Sequence, residues 1–474
     1  MHEACGHPKV LLQGLQDLHS RLSGNSIEVR ARVASILGTD NPDAVSQRIA
    51  SLSDRAATAI QQVKNERHGD AHYVSRFDAA GLFQSALAKI FSDIPDLQGY
   101  GDKNPIWITT LIEGAAHKVQ FFFEKVYQDV HGKKLPLWAS LIAELSQLPQ
   151  QNFKAPFPPG IPNSVPLPEN APVVLLGDWG GDNEAAKKIA GIVRKHKASL
   201  GIHLGDVYYG GTKSECESFL RLWPLRDSSS DSLSPQPGTS FALNGNHEMY
   251  SGGEHYFNVI LKAFNQPQSF FCLENRWWRL IGLDTAYANG SLMPTSADDP
   301  IATQWNWLLN LLRDDSGKAN ILLTHHQPVS AHAPEFHDSL KLRTEIEEIL
   351  AMKDVRKEAI FGWFFGHEHR CALYCDRVTP YNARLVGNGC IPHMVQTERA
   401  ADEGCTPVAF FNKQETHPGS SVAVSSFAEL LFEGPQLSIN YCDEDNRTWG
   451  TEVWDAENGR LDGIQFIESD GINQ

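Results

Sequence analysis

Five short apolar runs, at residues 173–176, 200–204, 241–243, 321–323 and 363–365, each end in side chains that bind metal ions. The first runs into Gly177-Asp178-Trp179-Gly180 and the second into Gly205-Asp206-Val207-Tyr208-Tyr209. The remaining three lead to Gly245-Asn246-His247-Glu248, Thr324-His325-His326 and Gly366-His367-Glu368-His369. Runs this short and this apolar fit buried strands, and a strand that ends in Asp, Asn or His leaves that side chain at the rim of a sheet. Open α/β sheets hold their ligands at such rims, so the pattern predicts an α/β fold whose strand ends converge on one site.

In order and in content, the five motifs resemble those of the calcineurin-like metallophosphoesterases, and within that superfamily those of the purple, or tartrate-resistant, acid phosphatases. The superfamily usually opens with Asp-x-His, whereas this chain has Asp178-Trp179-Gly180 and lacks that histidine. The purple acid phosphatase pattern supplies instead a tyrosine three residues after the second aspartate, where Tyr209 stands. The resemblance continues in Leu283-Asp284-Thr285 and in Gln304-x-x-Trp307-Leu308, and spans roughly residues 171–395. It implies a four-layer α/β/β/α sandwich, two mixed sheets flanked by helices, with a pair of metal ions at one edge. Two ions about 3.5–4 Å apart form a clamp for in-line displacement at phosphorus.

The residue types suit that chemistry. Asp206 is the natural bridging ligand, since one carboxylate offers an oxygen to each ion. The resemblance places Asp178, Tyr209 and His369 with it on the first metal, and Asn246, His325 and His367 on the second. Strand alignment favours His325, while the family's His-x-Pro spacing would favour His326 of His326-Gln327-Pro328. Asn246, a neutral amide, leaves its ion more electrophilic than a carboxylate would. A phenolate from Tyr209 needs a strongly Lewis-acidic partner, because a free phenol has a pKa near ~10. That predicts Fe3+ in the first site with Fe2+, Zn2+ or Mn2+ beside it. Metal-bound hydroxide is then the expected nucleophile, and no Gly-x-Ser-x-Gly elbow competes with it. By resemblance His247 is the expected proton donor to the leaving group, with His332 a second candidate on the substrate side. Tyr208 is read as packing and Asp284 as structural.

Outside the motifs the chain is informative mainly by exclusion. At 474 residues it is long enough for two domains. A net charge of −16 argues against a general nucleic-acid surface, though not against a small phosphorylated substrate. No apolar stretch has the length of a membrane span, the first residues form no charged-then-apolar signal, and eight scattered cysteines fit reduced thiols. The expectation is therefore a cytoplasmic protein. His2, Cys5 and His7 are read as chance ligands at a frayed terminus.

Residues 1–150 carry helical periodicity at 27–37, 42–66, 75–94, 105–130 and 137–145, and are read as an all-α domain of structural or substrate-selecting role, with homo-oligomerisation one use for it. Residues 151–172 read as a proline-rich, extended linker, and 173–474 as the catalytic domain, with closing strands at 428–432, 437–441 and 463–467. The expected activity is metal-dependent hydrolysis of phosphomonoesters. Phosphodiesters, such as cyclic nucleotides or glycerophosphodiesters, are the alternative, and a partner-binding scaffold with a vestigial site is the reading from another class.

Overall fold

The computed structural model describes residues 8–65, 75, 77–92, 137–148, 153–227, 229–330, 339–374, 381–391, 408–411, 423–457 and 460–466. The chain divides into two compact units. One comprises Met1–Lys154 with Tyr209–Ser214 and Tyr250–Gly252; the other comprises Ala155–Tyr208, Glu215–Met249 and Gly253–Gln474.

In the first unit the described helices are Pro8–Gly24, Ile27–Leu37, Pro42–Asn65, Asp78–Ser92 and Leu137–Gln147. Pro42 opens its helix, and the Asn41 side chain accepts from Asp43 N at 3.0 Å, the start that the Asn-Pro pair predicts. The Pro8–Gly24 helix escaped the sequence reading although Leu11, Leu15, Leu18 and Leu22 form one buried stripe. The expected helix at 105–130 lies outside the described residues. Pro8–Gly24 packs on Pro42–Asn65, which in turn carries Asp78–Ser92 and Ile27–Leu37; Leu137–Gln147 closes the group.

The second unit is built on two mixed sheets. Its strands are β1 (Ser164–Pro166), β2 (Val173–Leu176), β3 (Leu200–His203), β4 (Ser240–Ala242), β5 (Phe271–Glu274), β6 (Trp278–Leu283), β7 (Ala319–Thr324) and β8 (Gly362–Phe365). They continue with β9 (Cys371–Tyr374), β10 (Asn382–Val386), β11 (Val408–Phe411), β12 (Ser426–Glu433), β13 (Gln436–Asp443), β14 (Thr448–Asp455) and β15 (Arg460–Phe466). One sheet has the order β1-β5-β6-β7-β8-β10-β9-β11 and the other β15-β14-β13-β12-β2-β3-β4. All five apolar runs are strands. β2, β3 and β4 pair in parallel, as do β7 and β8, so their ligand-bearing ends point the same way within each sheet.

Period-two alternation divides the core. Ile321 and Leu323 of β7 join Val173, Leu175, Leu200 and Ile202 between the sheets. Leu322 faces the other way, against Leu308 and Leu312 of the Ala302–Arg313 helix and Ile346 of Ser339–Leu350. Each such side chain contributes roughly 1.5–3 kcal/mol on burial. The four-layer α/β arrangement expected from the sequence is the one observed.

Part of the proline-rich segment at 151–172 is held by neighbouring elements. Ser164–Pro166 pairs with Cys272–Glu274 as an edge strand, where proline's missing N–H costs nothing. Phe157 packs edge-on to Tyr287 at 4.8 Å, and the Tyr287 hydroxyl donates to Ala155 O at 3.0 Å. At the other end, Thr448–Asp455 is a strand that the sequence reading did not separate from its neighbours.

Candidate metal centre

The strand ends meet at two overlapping groups of ligand atoms. Those of Asp178, Asp206 and His369 lie within 4.8 Å of one another, and so do those of Asp206, His325 and His367. Asp206 belongs to both.

Three of these residues occupy backbone conformations that L side chains rarely adopt: Asp178 at φ 55°, Asp206 at φ 72° and His367 at φ 74°. Such conformations cost about 1 kcal/mol or more each and persist where the surroundings impose them. Here the surroundings are a lattice of main-chain bonds. Asp178 N donates to Gly205 O at 3.1 Å, Gly366 N to His325 O at 3.0 Å and His367 N to Asp178 Oδ2 at 2.7 Å. Gly245 allows a close approach, since a β-carbon there would lie 2.1 Å from Asp206 Oδ1.

The second group is a convergence of lone pairs. His325 Nδ1 lies 3.1 Å from Leu204 O, a carbonyl that only an N–H can satisfy, so Nε2 presents its lone pair. That Nε2 lies 2.8 Å from Asn246 Oδ1, 3.1 Å from His367 Nδ1 and 3.3 Å from Asp206 Oδ1. Burial, followed by the neighbouring His367 and His326, holds His325 well below the usual imidazole range and hence neutral. In the first group one hydroxyl, that of Tyr208, faces two carboxylate acceptors, Asp178 Oδ1 at 2.8 Å and Asp206 Oδ2 at 3.3 Å, and lies 2.8 Å from His369 Nε2. A single O–H proton can serve one of them.

Burial and then the Asp206 charge push Asp178 well above the ordinary carboxylate range. Burial likewise raises Asp206. Buried carboxylates facing imidazole and amide groups make a donor set that fits cations, with His369, Asp178 and Asp206 for one and His325, His367, Asn246 and Asp206 for a second.

The described residues singled out from the sequence fall into two sets. Asp178, Asp206, Asn246, His325, His367 and His369 come together. His326 turns aside: its Nδ1 pairs with Thr285 Oγ1 at 2.9 Å while its ring packs 4.7 Å from that of His367. His247 is buried beside the group, its N donating to Asp206 Oδ1 at 3.0 Å and its Nε2 3.7 Å from Asp206 Oδ2. His332 lies outside the described residues, as do His2, Cys5 and His7.

Of the two adjacent tyrosines, Tyr208, read as packing, brings its hydroxyl into the ligand group. The turn after Asp206 begins in a left-handed conformation, and sequence spacing alone does not say which of two adjacent tyrosines such a turn directs inward. Gly180 shows why a histidine is not simply restored at the usual position. A β-carbon there would meet Phe219 at 3.1 Å and Val207 at 3.3 Å, on a backbone at φ 142°.

Residues around the ligands also went unread. Glu248 Oε2 accepts from Asp206 N at 3.1 Å and Gly245 N at 3.2 Å, tying two ligand loops together. The Cys390 sulfur accepts from Gly180 N and Gly181 N, both at 3.3 Å, and burial pushes its thiol up to about 12, so it stays neutral behind Asp178. Gln304 exchanges two bonds with the Asp284 backbone, at 2.8 and 3.0 Å, which gives Gln304 of the helical motif its structural purpose. Glu248 had a signal in the Gly-Asn-His-Glu spacing. Cys390 had none.

Residues 171–371 match the family described as calcineurin-like phosphoesterase. Among solved structures the chain is similar to GAP50, the anchor in the inner membrane complex of Plasmodium, at 13% identity, covering 63% of this chain and 88% of that one, with a TM-score of 0.42. It is also similar to a purple acid phosphatase from yellow lupin (Lupinus luteus) seeds, at 16% identity over 60% and 53% of the two chains, TM-score 0.42. Vps29 of Chaetomium thermophilum is a third, at 10% identity over 63% and 97%, TM-score 0.28. No curated protein matches the sequence. Among the described residues, no helix is long and apolar enough to cross a membrane.

Proposed function

We propose that this domain is a binuclear-metal-dependent phosphoester hydrolase, acting on small phosphomonoesters in the manner of the purple acid phosphatases. The observation that carries the reading is the shared carboxylate: Asp206 presents Oδ2 to the Tyr208 group and Oδ1 to the His325 group. When bound, a pair of cations supplies Lewis-acid charge and brings the pKa of coordinated water to around 7.

The chain's own residues do the rest. Asp206 and the main-chain lattice hold the two ligand groups in register. The Leu204 carbonyl fixes the His325 tautomer, and His247 stands ready to hold the proton that the leaving oxygen needs. General-acid help of that kind is worth about 10²–10⁴ in rate.

The reading is tested by initial rates on an aryl phosphomonoester and the matching bis-aryl diester, with metal-analysed protein and Asn246→Ala alongside. The monoester is expected to dominate, and its rate to fall by roughly 10² or more in the variant, about the loss of 3 kcal/mol of transition-state stabilisation. A dominant diester rate would move the substrate to phosphodiesters. Two bound metals with no turnover on either would favour the scaffold reading.

The phenol also supports a proposal for the metals. Fe3+ with Fe2+, Zn2+ or Mn2+ remains the proposal, with Tyr208 as the phenol facing the first group. Iron-loaded protein is expected to show a visible phenolate-to-iron band that Tyr208→Phe removes and Tyr209→Phe keeps. The reverse pattern would return the ligand role to Tyr209, and a colourless active iron protein would rule out a phenolate ligand.

A further inference from the structure

The helical unit contains two segments that are not helical-domain sequence. Tyr209–Ser214 begins three residues after Asp206, and Tyr250–Gly252 begins four residues after Asn246. Within the unit, both rest on one helix, Asp78–Ser92.

That helix is covered on more than one side: every residue from 80 to 87 is buried. Phe83 turns toward Gly14 of the Pro8–Gly24 helix, 3.4 Å from where its β-carbon would stand. A different face, Gly81, Leu82 and Ser85, takes the two segments. A β-carbon on Gly81 would lie 2.7 Å from Tyr250 Cδ2 and 3.3 Å from Tyr209 O. A β-carbon on Gly210 would lie 2.8 Å from Ser85 Oγ and 3.1 Å from Leu82 Cδ2. Ser251 Oγ donates to Gly211 O at 3.0 Å and so links the segments to each other. Glycine inside a helix costs about 1 kcal/mol relative to alanine. At position 81 close approach gives a reason for it.

We propose that the Asp78–Ser92 helix is a positioning element for the metal centre. Through Gly81, Leu82 and Ser85 it seats the segments that leave Asp206 and Asn246, and so sets the spacing of the two ligand groups. The inference rests on the metal-site reading above. Metal ligands must be held within about 0.5 Å of productive geometry, so a displacement of segments three and four residues from two of them is enough to be felt.

The test compares full-length Gly81→Ala, Gly210→Ala, the pair Gly81→Ala/Tyr250→Ala, and Val33→Ala, which removes buried volume from the bundle away from these segments. Each metal-free protein is titrated with Mn2+ and Zn2+, and hydrogen exchange is followed in peptides covering residues 203–212 and 244–252. Gly81→Ala and Gly210→Ala are expected to weaken metal binding at least tenfold and to speed exchange in both peptides. Adding Tyr250→Ala to Gly81→Ala is expected to restore most of both, while Val33→Ala melts earlier but binds metal like the parent. Unchanged binding and exchange in Gly81→Ala, or an equal loss in Val33→Ala, would overturn the proposal. A parent that binds no metal would defeat the metal-site reading instead; the exchange rates and their reversal would then decide whether the helix seats the segments.

Discussion

Asp206→Asn is expected to lose at least one bound cation and to lower kcat/KM by about 10³ or more. One carboxylate now offers an oxygen to each ligand group, Oδ2 on the Tyr208 side and Oδ1 on the His325 side. An amide has one oxygen and one nitrogen that cannot coordinate while protonated, so it can serve only one group. The several kcal/mol of transition-state charge stabilisation that a two-metal clamp supplies correspond to factors of this size. Asparagine is the informative replacement because it tolerates the left-handed backbone that Asp206 occupies at φ 72°. A change in activity can then be assigned to the lost oxygen and not to a refolded turn.

The same substitution has an opposite effect on the metal-free protein. Burial raises Asp206, and Asp178 is raised by burial and by the Asp206 charge. A carboxyl whose pKa is raised by folding contributes stability that is complete below its unfolded value and disappears as pH climbs through the raised one. With chelator present, the parent should therefore lose stability as pH rises from the acid side, and Asp206→Asn should lose less and melt higher at neutral pH. Metal analysis and melting curves across pH read both effects. Two full equivalents of metal in Asp206→Asn would refute the bridging role.

Arg384→Met is expected to destabilise the domain by about 3–5 kcal/mol, the usual consequence of leaving a buried charge without its partner. Arg384 stands on β10 in one sheet and Glu452 on β14 in the other. Their side chains are 1% and 0% exposed and meet through two bonds of 2.7 Å. Tyr441 and Trp454 also donate to the Glu452 carboxylate, at 2.7 and 3.0 Å, and the guanidinium lies 5.6 Å from the Trp454 ring centroid. The burial that makes the pair costly to break also makes it replaceable as a unit. Arg384→Met/Glu452→Leu should recover much of the loss, because no charge is then stranded. Denaturant titration followed by tryptophan fluorescence is suited to the comparison, since most of the chain's eleven tryptophans lie in this domain. A single variant within 1 kcal/mol of the parent would mean that water reaches Glu452.

Much of the fold could be read from the sequence, for a physical reason. Parallel strands covered on both faces appear as continuous apolar runs, and β2, β3, β7 and β8 do so, with a ligand within three residues of each end. Helix starts such as Asn41-Pro42 are local, because the cap is made by residues within one turn. The candidate ligand positions were legible for the same reason, each following its strand directly. Ser164–Pro166 was not, since an edge strand of three residues is defined by its partner at Cys272–Glu274 and not by its own pattern.

The amino-acid sequence by itself determined which side chains stand at the strand ends and what chemistry they are suited to, because that depends on residue type and local periodicity. Only the tertiary structure decided that Tyr208 turns into the ligand group, that Glu248 and Cys390 brace its loops, that Arg384 finds Glu452 across the sheets, and that Gly81 seats the segments following Asp206 and Asn246. These pairings join residues up to 210 positions apart or hang on the path of one strained turn. Local preference leaves them open; close packing of sheets, loops and helix fixes them.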